Sequence, residues 1–256
     1  MTQKTALVTG GASGIGEATA RRLARDGYRV AVLDVQAAAA ARVASDISGL
    51  ALTVDVADSA AVDAAVADMV SQFGRIDACI CSAGVLEKPT TVMASDEATE
   101  RRIWDINYHG TVATCRAVGH VMQEQGSGAI VTLGSVNSFT ALPLPGYCPS
   151  KTAILRMTEM LAIELGRFGI RVNGVAPTYV LTPALQAKID TGERSADVIR
   201  GSSALGRFTY PDDIAAAIAF LCSDEARAIT GVMLPVDSGQ IPNVQYRGFA
   251  GGVPWD

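Results

Sequence analysis

Short apolar runs alternate with longer, alanine-rich amphipathic stretches along most of this chain. That rhythm limits the fold more than any other feature. Residues 5–9, 29–34, 50–54, 78–81, 129–133, 171–175 and 232–236 read as strands. Residues 15–26, 36–47, 59–73, 147–168 and 211–222 read as helices. So does 96–125, with a bend expected near 107–110. The last helix opens on Pro211, where a missing N–H costs nothing. Strand–helix–strand alternation specifies an α/β fold with a doubly wound parallel sheet covered on both faces. Strands buried on both sides should be apolar throughout, and Ala-Ile-Val-Thr-Leu at 129–133 fits. No Pro/Gly/Ser linker or fixed-period repeat divides the 256 residues, so they read as one domain.

Two segments break the rhythm. Residues 177–205 form a long connection with helical pieces, expected to be a substrate loop. Residues 238–256 form a Gly/Pro-punctuated tail. It either frays or docks Tyr246, Phe249 and Trp255 on the body or on a neighbouring subunit. The net charge of −5 lacks the basic footprint of a nucleic-acid binder. Cys79, Cys81, Cys115, Cys148 and Cys222 read as reduced thiols of a cytoplasmic protein. Cys79 and Cys81 share a strand face, but only His109 and His120 could complete a metal set, so no metal is expected. The N-terminus reaches glycine before a signal-type apolar core develops, and no apolar run is long enough to span a membrane.

The turn after the first strand is Thr9-Gly10-Gly11-Ala12-Ser13-Gly14-Ile15-Gly16. Glycine there lets the backbone approach a ligand, and the new helix presents unpaired N–H groups to an anion such as a pyrophosphate. No Gly-Lys-Ser/Thr follows, which disfavours a triphosphate loop. Asp34 ends the second strand 18 residues past Gly16, where a carboxylate accepts from an adenosine ribose. It would repel a 2′-phosphate, and neither Ser13 nor Val35-Gln36 supplies a cation, so the expected cofactor is NAD. Tyr147 and Lys151 stand four apart, on one side of a helix start. A nearby ammonium and a positively charged nicotinamide favour a phenolate, so the phenol is expected to titrate low enough to act as a general base.

Taken together these motifs resemble the short-chain dehydrogenase/reductase family, over nearly everything from Thr5 to about Gly239. The family's Thr-Gly-x₃-Gly-x-Gly corresponds to Thr9–Gly16, its acidic residue for NAD to Asp34, and its Asp-Val adenine contact to Asp55-Val56. Its catalytic asparagine corresponds to Asn107, and its Tyr-x₃-Lys to Tyr147 and Lys151. The resemblance implies a Rossmann-type sheet of seven strands, a homotetramer, and cofactor contacts from Gly10, Ser13, Gly14, Ile15, Gly16, Asp34, Val35, Asp55, Val56, Cys81, Ala83, Gly84, Tyr147, Lys151, Val180 and Thr182. It also implies that Asn107 supports a water leading protons from Lys151 to solvent.

The chain departs from the family in three places. Asn-Asn-Ala-Gly is Cys81-Ser82-Ala83-Gly84 here, and Thr178 stands where the family has glycine. The catalytic serine falls at Ser135, after Gly134, with Ser138 as the competitor. Substrate contacts are expected from Ser135, Asn137, Tyr147 and Leu185. Hydroxyls and amides at Asn137 and Ser138 beside the apolar Leu142, Pro143 and Leu185 suggest a polyol, sugar or cyclic hydroxy compound over a long fatty chain. The expected activity is NAD-dependent interconversion of a secondary alcohol and its ketone. The alternatives are an epimerase or dehydratase retaining NAD, or a non-catalytic NAD-binding protein.

Overall fold

The computed structural model describes residues 3–248 and 250–253. Seven strands form one sheet: β1 (Thr5–Thr9), β2 (Arg29–Asp34), β3 (Leu50–Thr53), β4 (Ala78–Cys81), β5 (Gly128–Leu133), β6 (Ile170–Pro177) and β7 (Met233–Val236). All pairs are parallel, in the order β3-β2-β1-β4-β5-β6-β7. The expected α/β architecture is therefore the observed one.

The pleat sends alternate side chains to opposite faces, and both faces are apolar. Leu7, Leu33, Cys79 and Ile130 pack with Met69 of α3 (Ser59–Phe73), Val118 and Met122 of α5 (Gly110–Gln125) and Leu165 of α6 (Tyr147–Gly166). Val8, Val32, Ile80 and Val131 face the other way. They meet Leu23 of α1 (Gly14–Arg25), Val43 of α2 (Ala37–Asp46) and Ile218 of α9 (Pro211–Cys222). Each fully buried leucine or isoleucine contributes roughly 1.5–3 kcal/mol relative to exposure. The long helical region expected over 96–125 is three pieces: α4 (Glu97–Ile103), a π-helical stretch (Trp104–His109) and α5. Residues 177–205 carry α7 (Pro183–Asp190) and α8 (Ala196–Ser202), and the tail forms α10 (Gln240–Arg247). Tyr246 is half exposed on α10. Phe249 and Trp255 lie outside the described residues. Among the described residues no helix is long and apolar enough to cross a membrane.

Strand order reverses between β1 and β4. Loops from the carboxyl ends of the two strands diverge there, and a crevice opens at the switch point.

Candidate active site

The crevice is a cleft of about 1180 Å³. Its floor is made by the turn after β1, the ends of β2 and β3, the loop after β4, and the segment joining β5 to α6. Its roof comes from α7 and α10.

At one end, Gly10 has φ +63°, and a Cβ there would lie 2.8 Å from the Ala83 backbone. A Cβ on Gly16 would sit 2.1 Å from the Gly10 carbonyl oxygen, so the turn closes only with glycine at both positions. Ser13, at the start of α1, makes no side-chain cap. The first-turn N–H groups of α1 thus stand beside a cleft lined by Ser13, Gly14, Ile15 and Gly16, a geometry that suits a pyrophosphate. Asp34 is buried. Its Oδ2 accepts from the Ala12 N–H at 3.1 Å and its Oδ1 from the Gln36 N–H at 2.9 Å. Those bonds fix the carboxylate at the cleft wall and leave lone pairs for hydroxyl donors. Val35, Asp55 and Val56 line the same wall, as do Ala83 and Gly84. These residues fit the adenosine and pyrophosphate of a dinucleotide. Cys81 is different: its thiol turns into the core, 3.9 Å from Cys79 and 3.7 Å from Cys115, and Ser82 faces the cleft instead. Strand alternation explains this, since Cys79 and Cys81 point to the α3/α5 face.

At the other end, Ser135, Tyr147 and Lys151 converge. A Cβ on Gly134 would lie 2.6 Å from Met233 Sδ, so a side chain there would displace the end of that methionine. The Ser135 hydroxyl lies close enough to the Tyr147 phenol to favour its phenolate. Ser138 is committed elsewhere. It donates to the Lys151 carbonyl at 2.7 Å and accepts from the Ser135 N–H at 3.2 Å. Lys151 is buried, and its Nζ donates to the Leu133 carbonyl at 2.7 Å, 5.4 Å from the Tyr147 ring centroid.

The expectation of a depressed phenol pKa is not met by the chain itself. Burial pushes Tyr147 above its ordinary 10.0, and the Ser135 hydroxyl offsets only part of this. The lysine absorbs a desolvation cost of its own, which pulls it down to about 8. This has a stability consequence. Below pH 8 both folded and unfolded chains carry the ammonium and the folded state bears the full cost, about 3 kcal/mol. The cost disappears as pH rises from 8 to the ordinary 10.5. Wild type should therefore gain stability relative to Lys151→Met across that window, as read from urea midpoints. A constant difference would contradict the assignment.

Asn107 lies in the π-helical stretch and is fully buried. Its Nδ2 donates to the Val85 carbonyl at 3.0 Å and its Oδ1 accepts from the Val85 N–H at 2.8 Å. Its backbone carbonyl accepts from the Thr111 hydroxyl at 2.6 Å. The side chain thus pins the loop after β4 beside Lys151. Val180, Thr182 and Leu185 all line the cleft, as does Asn137. Thr178 pairs its hydroxyl with Gln240 Oε1 and has no positive φ, so the missing family glycine leaves no backbone strain. His109 and His120 are exposed.

Sequence reasoning missed Glu87. This buried carboxylate accepts from the Gly146 N–H at 2.9 Å and the Tyr147 N–H at 2.8 Å, capping the helix that carries the tyrosine. The partners are 59 and 60 residues away, so no local signal marks the contact. Glu87→Ala strands two N–H groups and should cost about 1–3 kcal/mol in chemical denaturation. Glu87→Gln, which keeps an acceptor, should recover most of it. Equal losses in the two variants would deny the cap.

Residues 10–240 match the family model described as enoyl-(acyl carrier protein) reductase. A D-threitol dehydrogenase of Mycolicibacterium smegmatis is 42% identical over 92% of this chain and 92% of that protein. An NAD-dependent glycerol dehydrogenase of Listeria innocua is 36% identical over 93% and 94%. Among solved structures, an oxidoreductase of the short chain dehydrogenase/reductase family from Burkholderia thailandensis superposes with a TM-score of 0.90. It is 35% identical, over 100% of each chain.

Proposed function

The chain belongs to the short-chain dehydrogenase/reductase family, oxidoreductases acting on CH–OH groups, and from that premise we propose that it interconverts a secondary alcohol and its ketone with NAD. The observation that carries this reading is the meeting of Ser135, Tyr147 and Lys151 at one end of the cleft whose other end holds the glycine turn and Asp34.

A bound nicotinamide dinucleotide supplies the hydride acceptor. Gly14–Gly16 would hold its pyrophosphate and Asp34 its adenosine ribose. The Ser135 hydroxyl donates to the substrate oxygen and holds the carbinol in line. Tyr147, as phenolate, takes the O–H proton while the carbinol C–H electrons leave as hydride and the C=O bond forms. The Lys151 ammonium favours that phenolate, and Asn107 keeps the Val85 loop in place beside it. The preference for NAD rests on Asp34, and the relative from Listeria innocua carries the same dependence in its name. The preference for a polyol, sugar or cyclic alcohol rests on the mixed polar and apolar lining at the reacting end, and threitol and glycerol in the relatives' names accord with it.

A screen of alcohols, polyols and sugars for NADH absorbance tests the proposal. Net NADH formation from secondary alcohols is expected. Turnover without NADH release, with cofactor copurifying, would make the protein an epimerase or dehydratase. NAD binding without turnover of any panel member would leave a non-catalytic binder. A homotetramer belongs to the same reading, and Met160 and Ile163 stand 54% and 80% exposed on α6. A monomer in light scattering at micromolar concentration would exclude it.

A further inference from the structure

We propose that Glu87 is a positioning residue for the reaction: it braces the loop after β4 against the first turn of α6 and so sets where the Tyr147 phenol meets the substrate. The inference rests on the alcohol-oxidising reading above and deepens it. It gives the carboxylate a kinetic task beyond the cap it makes.

Tyr147 is the first residue of α6, and helix ends fray. Its neighbours do little to hold it. Gly146 has no side chain with which to cap, and Pro149, in the same turn, has no N–H. The tyrosine side chain is long, so a small tilt of its backbone is magnified at the hydroxyl. Glu87 supplies the missing hold. Its Oε1 takes the Gly146 N–H at 2.9 Å and the N–H of Tyr147 itself at 2.8 Å.

The other end of the brace is the cleft wall. Val85, two residues before Glu87, is bonded through both its N–H and its carbonyl to the Asn107 amide. A Cβ on Gly84 would lie 3.8 Å from Lys151 Nζ, so the same loop also reaches the ammonium. Beyond Glu87, the Thr90 N–H donates to the Pro143 carbonyl at 2.9 Å. Leu86 and Pro89 line the cleft, whereas Glu87 is buried behind them. Glu87 thus stands in the middle of a seam that joins the Lys151 side of the cleft to the start of α6. It acts through Tyr147, since it does not line the cleft itself.

A misplacement of about 1 Å can lower a rate about a hundredfold, so the brace predicts a kinetic signature. Rates of NAD reduction are read with 2-butanol, cyclohexanol and D-threitol. Glu87→Ala, at a temperature where circular dichroism shows it folded, should lose about 10- to 100-fold in kcat, with NADH affinity nearly unchanged. Glu87→Asp keeps the charge but draws the acceptor back by one methylene, and should fall part of the way. Glu87→Gln keeps the reach and should recover kcat. A second readout needs neither cofactor nor substrate. Subtracting the ultraviolet pH titration of the matching Tyr147→Phe protein isolates the Tyr147 phenol in each background. Burial lifts that phenol above 10.0. Loosening the helix start admits water, so the phenol should move back towards 10.0 in Glu87→Ala and stay raised in Glu87→Gln.

An unchanged kcat in Glu87→Ala would reduce the residue to a cap and overturn the inference. Equal kcat losses in Glu87→Ala and Glu87→Gln would overturn it too, because the reach of the acceptor would then not matter. Should Glu87→Ala fail to fold, Glu87→Asp carries the same test, and a wild-type kcat there overturns the brace. If wild type oxidises none of the alcohols, the alcohol-oxidising reading fails. The phenol titration then decides alone, and identical curves for wild type and Glu87→Ala count against the brace.

Discussion

Tyr147→Phe is expected to lower kcat for alcohol oxidation by about 10²- to 10⁴-fold, the range a positioned general acid or base supplies. NAD affinity, measured separately by fluorescence titration, should change little. The substitution removes one oxygen and keeps the ring in the cleft wall. Such a split, with chemistry lost and binding kept, is what a proton-transfer role requires. Turnover within tenfold of wild type would sink the assignment. The pH profile adds a second reading. Burial raises the phenol, so without help the phenolate is scarce near neutrality. The rate of oxidation should climb from pH 7 towards the alkaline side, and the reverse reaction, which needs the phenol protonated, should fall over the same range.

Asp34→Asn is expected to raise the NADP-to-NAD ratio of kcat/KM by about 10- to 100-fold, as a like-charge clash worth several kcal/mol is removed. The amide keeps roughly the same shape but one acceptor oxygen for two N–H donors, so it retains only one of the bonds from Ala12 and Gln36. The substitution introduces no new cation. Arg42, whose Nη2 is 3.5 Å from the Ala12 carbonyl, is held by Glu17 at 3.1 and 3.2 Å. NADP use should accordingly improve through loss of repulsion, with weaker NAD binding alongside. A ratio that stays put would mean that Asp34 does not meet the ribose.

Strands and cofactor-end residues were legible because their causes are local. Three of the seven strands begin and end where the apolar runs do, and the glycine turn carries its constraint in its own spacing. β6 extends further than the run 171–175 suggests, to Pro177, because its end pairs with β7. The helix α10 was hidden in a Gly/Pro-punctuated tail. Asp237 holds it, accepting from the Gly239 and Ile241 N–H groups at 2.9 Å, and hydrophobic periodicity does not announce such a cap. What sets Ser138 apart from Ser135, its bond to the Lys151 carbonyl 13 residues on, is a tertiary contact that spacing does not show. In the chain without its cofactor burial lifts Tyr147 and lowers Lys151, and spacing, which reveals the ammonium four residues on, conceals how little water reaches either group.

The cleft's two sides come from different stretches of chain. One is fixed to rigid strand ends, and the other is α7 and α10, joined to the sheet by a few tethers such as Thr178–Gln240. This division makes the molecule modular. Exchanging the overhanging segments for those of a relative should retune which compound is accepted while dinucleotide handling stays as inherited, so new specificities can be explored without rebuilding the machinery beneath.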